Sequence, residues 1–181
     1  MELRDDDAFW AARRVAAFNR EMIAAVVHTG QFSDPTAEAA LVEILLKRRQ
    51  KILQTYLPAV NPVVSPRLRD RELTFSNAAV DADVAQPPRQ YRAAWFEFDN
   101  ATDVRRPAGE TSGAVTTLAA PDGLPTALGS YVAVEITADG SDHESWRVPV
   151  TAYFRRQADG WKLVGFERLP EERPGRADTS R

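Results

Sequence analysis

The sequence predicts an α+β fold: an N-terminal helical segment of about three helices, followed by an antiparallel β-sandwich of six to seven strands, immunoglobulin- or fibronectin-like. Three observations carry this. Up to about residue 57, apolar side chains recur at helical spacing. Pro58, Pro62 and Pro66 then interrupt the chain. From Glu72 onward, short runs alternate apolar and polar residues between turn signals. The 181 residues divide accordingly into a helical segment (1–57), a proline-rich linker (58–70), a β-sandwich domain (71–170) and a disordered tail (171–181).

The first helix is expected in DDDAFWAARRVAAFN, where Asp5 or Asp6 caps a segment carrying Phe9, Trp10, Ala12, Val15 and Ala16. The acidic cluster suits the positive end of the helix dipole. A break near Asn19 starts a second, REMIAAVVHTG, with Gly30 where a C-terminal cap belongs. The third is the strongest signal. Ser33 or Asp34 caps it, Pro35 sits in its first turn, and Ala37, Leu41, Ile44, Leu45, Ile52 and Leu53 form its stripe until Pro58 ends it.

Strands are expected in ELTFSNAAV, QYRAAWFEF, GAVTTLAA, SYVAVEITA, RVPVTAYFRR and WKLVGFERL. Asp159-Gly160 is a short-range hairpin signal between the last two. Both faces of the final strand are partly apolar, which predicts cover on both sides. Pro149 suits a strand start or an edge. A second reading of the β part is a strongly curved sheet packed by the long helix, as in NTF2-like folds. The tail EERPGRADTSR lacks apolar periodicity.

Composition excludes several classes. Hydrophobic residues make up 44% and charged residues 27%, near globular averages. A net charge of -3 supplies no global field for nucleic acid. The absence of cysteine excludes disulfides, thiolate metal sites and a cysteine nucleophile. No apolar run approaches a membrane span. The acidic start MELRDDDAFW is unlike a signal peptide, so with Met1 as the native start the chain reads as cytoplasmic.

Several stretches together resemble a known family: DDAFWAARRVAAF, TGQFSDPTAEAALVEILLKRRQKI, LTFSNAAVDADVA, WFEFDNATD and YFRRQADGWKLVGFERLP. In order and spacing they are similar to the C-terminal region of a family of longer bacterial proteins with no assigned activity. The resemblance runs from about Asp6 to Pro170. It implies packing against a larger N-terminal region and assigns no catalytic residue.

No motif names a reaction. There is no P-loop, no G-x-G-x-x-G and no G-x-S-x-G elbow. Lys47, Arg48, Arg49 and Lys51 fall on different sides of a 3.6-residue period, as a solvated helix face does. The loop ADGSDHESW gathers Asp139, Asp142, His143 and Glu144 but lacks calcium-loop spacing. His28 and His143, the two histidines, lie in no metal-binding pattern. WFEFDNATD sets Glu97, Asp99 and Asp103 beside aromatic rings, as a sugar-binding or glycosidase cleft does. Aromatics on a strand are also ordinary core, and Asp-Asn at a strand end is ordinary turn chemistry.

Two functions follow. The favoured one is a non-catalytic accessory or interaction module with a protein partner: the preceding region, another protein, or a second copy in a homo-oligomer. It needs no cofactor, metal, nucleic acid or membrane span. The alternative is a hydrolase or small-molecule-binding protein with a pocket between helices and sheet, its site drawn from Glu97, Asp99, Asp103 and His143.

Overall fold

A computed structural model describes residues 5–168; the predicted tail, 171–181, lies outside the described residues. Three helices come first: α1 (Asp5–Ala16), α2 (Arg20–His28) and α3 (Pro35–Tyr56). In α1, Asp5 and Asp6 lie within the first turn instead of capping it, whereas the starts of α2 and α3 have side-chain caps. Asn19 caps α2 by accepting from the Met22 amide at 2.8 Å, and Asp34 caps α3 by accepting from the Thr36 amide at 2.8 Å. Pro35 costs α3 nothing, because a first-turn residue needs no amide donor.

Eight strands follow: β1 (Val63–Arg69), β2 (Glu72–Asn77), β3 (Gln90–Asp99), β4 (Val104–Gly113), β5 (Thr117–Ala119), β6 (Tyr131–Asp139), β7 (Val150–Gln157) and β8 (Gly160–Glu167). One turn of helix, α4 (Ala78–Asp81), follows β2, and a 3-10 turn (Glu144–Arg147) precedes β7. The strands form two antiparallel sheets, ordered β1-β2-β5 and β4-β3-β6-β7-β8. The sheets adjoin at two margins, with β1 beside β8 and β5 beside β4.

The first correction concerns the linker. Residues 58–70 hold strand β1, and Val60, Val63, Val64 and Leu68 are core residues. Its prolines are tolerated for local reasons. Pro62 precedes the strand. Pro66 sits where the β1–β2 register shifts between Val64 and Arg67, next to Ser65 at φ +54°. The hairpin turn is made by Asp70 and Arg71, at φ +46° and +70°. That is type I′ geometry reached without glycine, so the usual sequence signal is missing.

The second correction is strand number. Among the described residues, eight strands stand where six or seven were expected. Besides β1, the unexpected strand is β4, VRRPAGETSG, which is polar and mostly exposed and so lacks an apolar face to read. Part of one predicted run also changes class, because Asn77 accepts from the Ala79 and Val80 amides and starts α4. A register shift opposite Tyr153 and Phe154 breaks the alternation of β8 and leaves Leu163 and Val164 exposed, so that strand is not covered on both sides.

One main core joins helices and sheets. Phe9 and Ala12 of α1, Leu53 of α3 and Leu57 just after it meet Leu68, Leu73, Tyr91, Trp95, Val132, Val134, Ile136, Trp146 and Phe154. Each large apolar side chain buried this way contributes about 1.5–3 kcal/mol. The connection after α3 is fastened by Asn61, which is buried. Its amide donates to the carbonyls of Ile136 (3.0 Å), Trp146 (3.3 Å) and Val148 (2.8 Å). Arg168 closes the far side. Its guanidinium donates to the carbonyls of Asn61 and Val63 and lies 4.1 Å from the centre of the Phe9 ring.

The other end of the helical segment is different. Ile23 and Val27 of α2 and Val42 of α3 form a small separate cluster. Only the C-terminal end of α3 reaches the main core. The α2–α3 hairpin is therefore anchored at one end.

Candidate functional site

An open groove of about 470 Å³ lies where β3 ends and β6 begins. Glu97, Phe98 and Asp99 come from β3, Arg106 from β4, and Ser130 and Tyr131 from the start of β6. Antiparallel pairing brings them together. Glu97 is opposite both Arg106 and Val132, and Phe98 is opposite Tyr131. The Phe98 and Tyr131 rings meet edge to face at 6.4 Å. Arg155 lies 5.7 Å from the Tyr131 ring centre, stacking a cation on that ring.

Beside the groove, a polar network crosses the five-stranded sheet. Arg105 donates to Glu135 at 2.8 Å and to the Tyr153 hydroxyl. That hydroxyl donates to Glu167 at 2.9 Å. Gly165, opposite Tyr153, leaves room for its ring, since a Cβ there would lie 3.2 Å from it. The network links four strands and holds Phe98 against Tyr153 at 5.1 Å.

The four sequence candidates separate. Glu97 and Asp99 line the groove. Asp103 is in the β3–β4 turn at φ +56° and is not among the groove-lining residues. His143 precedes the 3-10 turn beyond the far end of β6 and stacks on Trp146 at 5.1 Å. A nine-residue strand puts about 25–30 Å between the two ends. His143 is thus no partner for Glu97 or Asp99.

Asp99 is engaged in turn chemistry. It accepts from the amides of Ala101 (2.9 Å) and Thr102 (3.3 Å). The Ala101 amide, with Thr102, holds its carboxyl below the usual carboxylate range. A general acid needs the opposite shift. The groove offers the Glu97 carboxylate and the Arg106 guanidinium beside the Phe98 and Tyr131 rings, groups suited to holding a polar ligand. Among the described residues, no group of three or more metal-ligating side chains gathers. No described helix is long and apolar enough to cross a membrane.

A second cleft, about 310 Å³, lies between helices and sheet, where the alternative reading placed its pocket. Its polar lining differs from the predicted set: Arg13, Arg49, Ser65, Ser76 and Asp81. The basic run on α3 divides as its period requires. Lys47, Arg48 and Lys51 are exposed, while Arg49 turns inward and donates to the Ala16 carbonyl at 2.8 Å. The reading of the run as a solvated face therefore fails at Arg49. Arg105, Arg106 and Tyr131 left no trace in the sequence, because strand pairing alone assembles them. Comparison with family models, curated proteins and solved structures gave no match.

Proposed function

We propose that the chain is a non-catalytic interaction module that docks through its α2–α3 hairpin. The carrying observation is the outward stripe of that hairpin. Met22 and Val26, one turn apart on α2, are 48% and 66% exposed, and Phe18 before the cap is 48% exposed. The stripe runs about 12 Å along the helix. Its flanks carry the Arg20–Glu43 ion pair at 2.5 Å and the His28–Glu38 hydrogen bond at 3.0 Å, so the carboxylates beside the stripe are already engaged. A second copy related by a twofold axis, laying the same apolar stripe against this one, is the occupant we assign to the surface. The resemblance to the C-terminal region of longer bacterial proteins supports the same class of function, with the preceding region as the rival occupant.

Of the two finer fold readings, the adjoining margins of the sheets favour a strongly curved sheet over a stacked immunoglobulin-like pair. Light scattering on the purified chain tests the docking reading. A dimer that Met22→Ser combined with Val26→Ser converts to a folded monomer is the expected result. A wild-type monomer at all concentrations contradicts self-docking.

A further inference from the structure

The cleft between helices and sheet has a composition the interaction reading does not use. Arg13 of α1 and Arg49 of α3 face it from one side, Ser65 and Ser76 from the β1–β2 hairpin, and Asp81 from α4.

Two features are costly for the fold alone. The Arg49 guanidinium gives one N–H to the Ala16 carbonyl, yet its Nε is buried with no partner among the described residues. A half-satisfied, part-buried guanidinium is unfavourable, and an anion in the cleft can accept from its terminal N–H groups, though not from the enclosed Nε. Ser65 holds φ +54° at the register shift of β1, where glycine is the easy residue. A serine kept in that conformation puts a hydroxyl at the cleft.

We propose that this cleft binds the oxyanion group of a small ligand, a phosphate or a carboxylate, between Arg13, Arg49 and the two serine hydroxyls. Guanidinium forks match such oxygens in pairs, and hydroxyls complete the shell. The lining sets the two guanidiniums of Arg13 and Arg49 against the one carboxylate of Asp81, so a simple oxyanion is still attracted. The volume, about 310 Å³, sits at the lower end of small-molecule sites and limits the ligand to a compact one.

The test is an amide NMR titration of the full chain with inorganic phosphate and, separately, with succinate, against sodium chloride at matched ionic strength. The expected result is a saturable shift at the Ser65, Ser76, Ala78 and Ala82 amides with one or both probes. Saturation with phosphate alone identifies a phosphate site, and with succinate alone a carboxylate site. Arg13 is exposed, so Arg13→Gln keeps the fold and is expected to weaken the response at least tenfold. Shifts that never saturate, that match those in chloride, or that persist unchanged in Arg13→Gln overturn the proposal. The α2 stripe lies elsewhere, so the outcome is independent of the dimer test.

Discussion

Asn61 shows how much one side chain can hold. Its amide donates to three carbonyls contributed by β6, the 3-10 turn and the residue after it, and its oxygen accepts from the Val63 amide at 3.2 Å. Asn61→Ala leaves those buried groups without partners. We expect a loss of about 2–4 kcal/mol in chemical denaturation, whereas an exposed alanine substitution stays within about 0.5 kcal/mol. Arg168 is held differently. Burial pushes its guanidinium down to about 10, with the Arg13 charge adding and Asp6 opposing. Its folded value lies below its unfolded one, so the cost of burying its charge is constant below about pH 10 and is relieved only above it. Asp99 has a depressed carboxyl. Its turn contribution is therefore full above the ordinary value of 3.8 and fades as pH falls through the lower folded value. Asp99→Ala is expected to lower stability at neutral pH and to match wild type in acid. Equal differences at both pH values would contradict that role.

At the scale of elements, legibility follows local signals. The cap and proline start of α3 and the strands β6 and β7 were readable from local signals, but the stripe expected on α3 is not the buried one: Ile44 and Ile52 are exposed, and Val42 is buried with Leu53. β7 is buried without alternation from Val150 to Phe154. β1 was hidden by Pro62 and Pro66 and by a turn without glycine, and β4 by its polarity. Both are defined by neighbours that lie elsewhere in sequence. The same limit applies to the groove. WFEFD was visible as a run, but Arg106 and Tyr131 join it only through register. The helical hairpin carries its own prediction. Its cluster of Ile23, Val27 and Val42 is small beside the main core. Amide exchange in α2 is expected to run faster than in β6 by at least tenfold. Comparable protection would mean that the hairpin is braced along its whole length.

For the whole molecule, the boundary at residue 57 marks a change of pattern rather than of core. Phe9, Ala12, Leu53 and Leu57 are buried against the strands, so the helices complete the core of the β part. A fragment lacking 1–57 is expected to be insoluble or unfolded by circular dichroism. A cooperative transition in that fragment would show the β part to be self-sufficient. Beside this main core stands a hairpin that buries Ile23 and Val27 of α2 and leaves Met22 and Val26 exposed.

The solution mass of the chain, by size exclusion with light scattering, tests docking through that hairpin. Wild type is expected at twice the chain mass, and the Met22→Ser, Val26→Ser variant at a folded single-chain mass. A wild-type monomer at every concentration, or a dimer that the two substitutions leave intact, would contradict it.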